Sequence, residues 1–475
     1  MQETSHKSKR VIGVFTLAMI NLAAVGGIKN WSVTAEYGFA SIFYLLIAAI
    51  VFFIPVSLVS AELATGWPKM GGVYVWVKEA FGHRTGFLAI WLQWVQNLAW
   101  YPTVLSFIAA ALSYVFDPEL ANNTYYIVIV ILVAYWTATF ANLKGMRTSG
   151  WISSLSVVFG TFIPGALIIL LGLIWCFSGN PLQISLSLDS LVPKIQSIDQ
   201  IVFFTGILLF LCGMEMSAAH AQNVHNPRRN YPKAIIVSAI IIIAMTVLGV
   251  LAISIVVPQK EISLVAGSLQ AFTHFLEAYH MRWLTPIIAA LVAIGAFGSM
   301  STWVVGPTKG LLAAAQQGDL PPAFRKINAQ EMPVTLLIGQ GVLVSLISLI
   351  FLFMPSISSA FWILSAIVAQ LYLLMYILMF AAAIKLRYSK PTVERPYRVP
   401  GGHVGMWIVS GIGLLSSLFA MAIGFFPPSQ IATGSLVFYE SFLIIGVVLC
   451  CIAPALIGLF QKPSWKKPLK HERNL

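Results

Sequence analysis

Long apolar runs recur along the chain and alternate with short polar segments. A helix needs about 20 mostly apolar residues to cross the hydrocarbon core of a bilayer. Runs of this kind lie at residues 12–35, 40–62, 87–115, 124–142, 150–177, 200–221, 234–256, 284–314, 334–354, 359–384, 405–426 and 438–461. The pattern predicts an all-α integral membrane protein with twelve transmembrane helices, in a single polytopic domain of residues 1–475.

The composition excludes a soluble protein of this size. Hydrophobic residues make up 59% of the 475 residues and charged residues only 9%. Soluble domains carry about 25% charged residues. Most of this chain is therefore expected to have lipid as its solvent, and the bilayer is its first expected partner.

The placement of lysine and arginine predicts the orientation of the helices. Of the 28 Lys and Arg residues, 24 fall in the two termini and in the loops on one side of the predicted membrane. Only Lys194, Lys260 and Arg282 fall on the other side, and Lys29 falls within the first run. Because cytoplasmic loops are enriched in Lys and Arg, both termini are predicted to be cytoplasmic. The net charge of +12 is then a topology signal, and no nucleic-acid partner is expected.

Patterns for catalysis or metal binding do not occur in this sequence. The cysteines lie in apolar segments without metal-ligand spacing, at Cys176, Cys212, Cys450 and Cys451. An enzyme would need paired carboxylates or a His and Asp/Glu constellation at membrane depth. A channel would need a polar lining or a ring of charges. We therefore expect neither an enzyme nor a channel, and no metal or cofactor.

Glycine interrupts two of the apolar runs. Gly26 and Gly27 lie in the first run and Gly213 lies in the sixth, so the two places correspond as the first helices of two five-helix halves. An odd number of helices per half makes the second half run inverted, and paired glycine breaks in inverted halves are typical of a transporter site. The sequence thus predicts repeats at about 12–177 and 200–384, with extra helices at about 405–461.

A helix broken at mid-depth offers backbone groups to a ligand. Its second piece begins with free N–H groups and its first piece ends with free C=O groups. Amides at Gly26, Gly27 and Ile28 would favour a carboxylate, and carbonyls near Leu211 and Cys212 would accept from an ammonium. This arrangement suits the zwitterionic end of an amino acid.

Glu215 is the acidic residue placed at mid-depth in a predicted helix. Acidic residues inside membrane spans are costly and are functional candidates by default. Two interpretations stay open: a role in gating or proton sensing, and a carboxyl that ties down the loosened backbone beside Gly213.

Other polar and aromatic residues are candidates for the substrate path. Lys29 can reach an acidic substrate group, pair with Glu36, or extend outward to the membrane surface. Gln96 and Asn97 can line the path or can simply pack between helices. Trp303, set among hydroxyl side chains, is a candidate substrate contact.

Several motifs resemble signatures of the amino acid–polyamine–organocation superfamily. They are the stretch 203–234, the pair Ala61-Glu62-Leu63-Ala64 and Pro68-Lys69-Met70-Gly71-Gly72-Val73-Tyr74, and the run Arg395-Pro396-Tyr397-Arg398-Val399-Pro400-Gly401-Gly402. Within the superfamily, the chain most resembles the bacterial glutamate/GABA antiporter group. The residues concerned are 257–270, Trp303-Val304-Val305-Gly306-Pro307 and 426–428.

The resemblance implies a LeuT-like fold of two inverted five-helix repeats plus two C-terminal helices in a bacterial inner membrane. It implies alternating access, commonly as exchange of an amino acid for a related amine or amino acid. By position it implies Glu215 as the family's acidic residue and Trp303 as an aromatic cover over substrate. The implied contacts at the two breaks are Val25, Gly26, Gly27, Ile28, Leu211, Cys212 and Gly213.

Two departures from the resembled families shape the expected mechanism. The glutamate/GABA antiporter has a long C-terminal segment that plugs its cytoplasmic mouth, whereas this chain stops soon after the twelfth run, so we expect no plug. Proton-coupled relatives place a Lys in the fifth helix, where residues 158–164 contain none. Exchange is therefore favoured, and a proton-coupled amino-acid symporter is the alternative. These motifs specify neither the amino acid or amine nor the oligomeric state.

Overall fold

The computed structural model describes residues 13–69, 71–144, 158–216, 224–429 and 431–466. In these ranges the regular structure is helical, apart from isolated bridge residues at Val224, Ile327 and Pro333. The all-α prediction is confirmed. Residues 217–221 of the sixth apolar run lie outside the described ranges, as do residues 150–157 of the fifth.

The main helices follow the predicted runs closely. They are α1 (Val14–Val25), α2 (Trp31–Ala35), α3 (Gly38–Gly66), α4 (Val73–Phe81), α5 (His83–Phe116), α6 (Thr124–Leu143), α7 (Val158–Phe177), α8 (Phe203–Phe210), α9 (Arg229–Val256), α10 (Gly267–Ala278), α11 (Arg282–Gln316), α12 (Val334–Leu352), α13 (Ile357–Ser389), α14 (Gly402–Ile423) and α15 (Leu436–Leu459). Among the described residues, ten helices are long and apolar enough to cross a membrane, namely α3, α5, α6, α7, α9 and α11 to α15. These ten coincide with ten of the twelve predicted runs, and the first and sixth runs form shorter pieces.

Both of those shorter runs are interrupted at their glycines. Helix α1 ends at Val25, Gly27 is extended, and the chain resumes through a 3-10 turn at Ile28–Asn30 into α2. Helix α8 ends at Phe210, and a short helical turn resumes only at residues 214–216. Gly213, between the two pieces, has φ +119°, a value that L side chains rarely adopt.

Helix α4 lies in the segment between the second and third apolar runs. Gly72 and Gly82, both with positive φ, turn the chain into and out of it. Its length of nine residues is too short to span a bilayer. However, Tyr74 and Trp76 are fully buried, because α4 packs against α5 and α13. One face of the segment is therefore part of the protein core.

The centre of the molecule is tightly packed and its periphery is apolar. Where α7 crosses α11, a Cβ placed on Gly160 would lie 2.0 Å from the Cα of Gly295, so these two backbones touch directly. Around the outside, large apolar side chains face outward on several helices. Examples are Ile129, Ile240, Leu346, Leu415 and Leu449, each at least 60% exposed. Such a surface is stable against lipid tails and unstable against water.

A buried ion network joins α3 to the end of α13. The Glu62 carboxylate accepts hydrogen bonds from Nε and Nη2 of Arg387 at 2.6 Å each, and from the Val399 amide at 2.7 Å. Nε of Arg395 lies 3.5 Å from the same carboxylate. Two of the motifs that carry the family resemblance, at 61–64 and 395–402, therefore meet in space at this network.

Candidate substrate-binding site

A cavity lies where the two interrupted segments face α5 and α11. It encloses about 480 Å³, its open mouth included. The lining residues are Ala24, Val25, Gly27, Lys29, Asn30, Gln96, Asn97, Trp100, Leu209, Phe210, Cys212, Ser299, Trp303 and Tyr372. The breaks at residues 26–27 and 211–213, which are far apart in sequence, thus border one cavity.

The contact between the two breaks passes through Gly213. A Cβ placed on Gly213 would lie 3.2 Å from Cζ2 of Trp303 and 3.5 Å from the Ala24 carbonyl oxygen. The Gly213 amide donates to the Tyr376 hydroxyl at 2.9 Å. Gly213 is therefore enclosed by α1, α11 and α13 at once.

The backbone at the first break is less open than the sequence suggests. The Gly26 amide donates to the Leu22 carbonyl at 2.8 Å, and the Gly27 amide donates to the Val25 carbonyl at 2.9 Å. The expectation that these two amides are free for a carboxylate is wrong for this conformation. The Gly26 amide makes the last i→i−4 bond of α1 and the Gly27 amide makes a tight i→i−2 bond, so both donors are already used within the chain.

The predicted site residues divide into those that line the cavity and those that flank it. Val25, Gly27, Cys212, Trp303, Lys29, Gln96 and Asn97 line it. Gly26 lines a smaller neighbouring cavity, and Leu211 lines another. Ile28 is buried and points toward Gly165 of α7.

Several lining residues were not singled out as site residues from the sequence. Asn30 directly follows Lys29, and its polarity inside an apolar run is a signal that was available. Tyr372 lies one helical turn before Tyr376 on α13, but a tyrosine in an apolar helix does not by itself indicate a site. Leu209 and Phe210 are apolar residues in an apolar run, so the sequence does not mark them as site residues.

Glu215 lies behind the cavity wall and is almost fully buried. Its carboxylate accepts hydrogen bonds from the hydroxyls of Tyr372 and Tyr376, and from Nε2 of Gln93 at 3.2 Å. Three donors from α5 and α13 thus hold the segment that follows the second break. Of the three donor residues, only Tyr372 also lines the cavity.

Lys29 is half-buried, and its ammonium group lies over an aromatic ring. Nζ is 4.5 Å from the centroid of the Trp100 ring on α5. The Lys29–Glu36 ion pair considered from the sequence is not formed. Among the described residues, no carboxylate lies within ion-pair distance of Lys29.

Trp303 and Trp100 together form an aromatic wall of the cavity. Their rings lie 5.3 Å apart between centroids and are tilted against each other. The Tyr101 hydroxyl donates to the Trp303 carbonyl at 2.9 Å, which helps to hold this part of α11 against α5.

Amide side chains supply the polar part of the lining. Nε2 of Gln96 and Nδ2 of Asn97 both donate to the Gln93 carbonyl, at 3.2 and 2.7 Å. Their oxygens, Oε1 of Gln96 and Oδ1 of Asn97, are buried without a hydrogen-bond partner among the described residues, as is Oδ1 of Asn30. Buried acceptors of this kind are normally satisfied, so the cavity offers open acceptors to a ligand or to water.

The family follows from a comparison with known proteins. Residues 12–450 match the family model described as amino acid permease. The chain belongs to this family. It is therefore a multi-pass bacterial membrane transporter and not an enzyme.

Individual relatives support the same assignment. An uncharacterised transporter of Legionella pneumophila is 46% identical over 95% of this chain and 97% of its own length. A glutamate/gamma-aminobutyrate antiporter of Lactococcus lactis is 35% identical over 95% of this chain and 90% of its own. A probable agmatine/putrescine antiporter of the same species is 27% identical over 77% of this chain and 78% of its own. The resemblance to the glutamate/GABA antiporter group is thereby confirmed.

Proposed function

We propose that this chain is a secondary active transporter that exchanges an amino acid for a related amino acid or amine by alternating access. The observation that carries the proposal is the cavity between two interrupted helices, with one ammonium group and three open amide oxygens in its lining. A zwitterion needs a cation for its carboxylate and acceptors for its ammonium group. The two helix breaks bring both kinds of group to the cavity. Two of the relatives described above are named antiporters.

The proposal includes the arrangement of the helices in the membrane. The interrupted segments 14–35 and 203–216 complete the ten long helices to twelve spans. The spans form two inverted five-helix repeats, at about 12–177 and 200–384, followed by α14 and α15. The chain is placed in the bacterial inner membrane with both termini in the cytoplasm, on the strength of its Lys and Arg distribution.

Within this proposal, the predicted site residues take different parts. Val25, Gly27, Cys212 and Trp303 contact substrate, since they line the cavity. Gln96 and Asn97 offer their oxygens to its ammonium group. The flanking residues Gly26, Ile28, Leu211 and Gly213 shape the two breaks, and Glu215 holds the second break to α5 and α13.

Counterflow in proteoliposomes tests the exchange mode. Purified protein is reconstituted, the vesicles are preloaded with unlabelled glutamate or γ-aminobutyrate, and uptake of labelled glutamate is followed. We expect uptake into preloaded vesicles and none into empty ones, with protein-free liposomes as the blank. Uptake into empty vesicles that requires an inward proton gradient would replace exchange by symport. No uptake for any preloaded amino acid or amine would overturn the proposed function.

A further inference from the structure

Lys29 is a basic side chain in a largely apolar setting, and it has no counter-charge among the described residues. Its ammonium group faces the Trp100 ring, and no carboxylate of the described residues pairs with it. A cation–π contact offsets only part of what an unpaired charge costs inside a membrane protein. The side chain is therefore available to an anion that the described part of the chain does not supply.

The cavity offers few other positive groups to such an anion. The Gly26 and Gly27 amides already donate within the chain, so they are occupied in this conformation. The fully buried side-chain atoms of the lining that have no partner among the described residues are the amide oxygens of Asn30, Gln96 and Asn97, which are acceptors. Among the described residues that line the cavity, Lys29 is the sole charged side chain.

We propose that Lys29 binds a carboxylate of the transported substrate and sets the charge selectivity of the site. The inference rests on the proposed function, because it takes this cavity as the transport site. A substrate with one carboxylate and one ammonium, such as glutamate or γ-aminobutyrate, satisfies Lys29 and the amide oxygens together. A diamine such as putrescine brings a second ammonium toward Lys29, and like charges at short range repel. The site accepts carboxylate-bearing amino acids and rejects diamines.

Lys29 lies on the aromatic wall of the cavity, where a bound ligand affects contacts that reach both helix breaks. Nζ rests on Trp100, the Trp100 ring lies against Trp303, and Trp303 lies against Gly213 at the second break. These contacts form a continuous series from the first helix break to the second. A carboxylate that pulls the Lys29 ammonium group away from the Trp100 ring therefore disturbs the first contact of this series.

Three variants separate charge from length and from general effects. Lys29→Met removes the charge and keeps an unbranched side chain, while Lys29→Arg keeps the charge. Lys260→Met removes a lysine charge from an exposed loop and is the matched control. Competition against labelled glutamate is measured with detergent-purified protein, so that a loss of binding is seen apart from a stalled transport cycle. Thermal unfolding of each variant checks that it is folded.

The expected result is a change in which ligands compete. Wild-type protein binds glutamate and is not inhibited by putrescine. In Lys29→Met, the apparent Kd for glutamate rises about tenfold to a hundredfold, as expected for the loss of a hydrogen bond to a charged group. Putrescine then becomes a competitor. Lys29→Arg and Lys260→Met retain the wild-type order of ligands.

Failure of this inference is distinct from failure of the proposed function. If the wild type exchanges amino acids but Lys29→Met keeps the same affinity for glutamate and still excludes putrescine, Lys29 is not the selectivity residue. If the wild type exchanges nothing, the proposed function itself fails. Should Lys29→Met not fold, Lys29→Gln carries the same comparison with the same two outcomes.

Discussion

At the scale of single residues, Gly213 meets two demands that other residue types do not meet together. Its φ of +119° lies in a region that suits glycine, and the space where a Cβ would stand is 3.2 Å from the Trp303 ring. Its amide also donates to Tyr376. The second break therefore depends on the absence of one methyl group.

Replacing Gly213 by alanine should destabilise the protein by about 1–3 kcal/mol, the usual cost of a strained backbone conformation. We expect a lower midpoint of thermal unfolding and a lower rate of counterflow. Gly458→Ala on α15 is the control, because a Cβ there meets nothing within 4 Å. Equal behaviour of the two variants would show that the second break tolerates a side chain.

Glu215 is the residue for which the structure adds most to a hypothesis from sequence. Two tyrosine hydroxyls and a glutamine amide donate to its carboxylate. These are the partners needed if Glu215 anchors the loosened backbone beside Gly213. The gating or proton-sensing interpretation stays a prediction alongside it.

Glu215→Gln should lower stability by about 1–3 kcal/mol, because one carboxylate oxygen becomes an NH₂ group that faces hydroxyl donors. The measurement is the thermal unfolding midpoint of purified protein, with Tyr372→Phe and Tyr376→Phe as variants that remove one donor each. Unchanged stability in all three would rule out this anchoring role. A shift in the pH profile of counterflow in Glu215→Gln would separately support proton sensing.

At the scale of helices, the ends of α3 and α13 are joined by charge. Glu62 and Arg387 are both buried and form a bidentate pair, and Arg387 also donates to the Val399 and Gly402 carbonyls. A buried pair of this kind is poor evidence of net stability, but removing one partner leaves an uncompensated charge.

Arg387→Met should therefore cost about 3–5 kcal/mol, measured as a fall in the unfolding midpoint or in the yield of folded protein. Lys390→Met, near the same helix end, is the control. Its partner Glu79 is 3.9 Å away and both side chains are partly exposed, so about 0–1 kcal/mol is expected there. Similar losses in the two variants would mean that the buried network has no special role.

At the scale of the whole molecule, the exposed apolar surface and the distribution of charged residues both bear on how the protein lies in the membrane. Outward-facing leucines and isoleucines on α6, α9, α12, α14 and α15 form a surface suited to lipid. In the proposed topology, Lys and Arg are concentrated in the loops on one side of it. This asymmetry predicts an orientation that can be tested without any transport assay.

In a cysteine-free background, a cysteine at Lys194 should react with a membrane-impermeant maleimide in intact cells. A cysteine at Thr392 should react only after the membrane is permeabilised. Both positions are exposed, so differences in labelling report the side of the membrane. The reverse pattern would invert the proposed topology, and labelling of both in intact cells would contradict the number of spans between them.

Much of the architecture follows from local sequence, for a physical reason. The thickness of the bilayer sets the length of each apolar run, so α3, α5 and α11 to α15 could be placed within a few residues. Glycine weakens a helix, and the corresponding positions of Gly26-Gly27 and Gly213 in the two predicted halves allowed these two interruptions to be placed. The family could be recognised from contiguous motifs such as 61–64 and 395–402.

The contacts that build the site were decided only by the tertiary structure. In lipid, the side of a helix that packs on protein and the side that meets lipid are both apolar, so periodicity does not reveal how each helix is rotated. The placement of Lys29 on Trp100, of Glu215 between Tyr372 and Tyr376, and of Gly213 against Trp303 depends on those rotations. The bonds that occupy the Gly26 and Gly27 amides depend on how the chain turns after α1. Sequence determined where the helices break, and tertiary packing decided which groups each break presents.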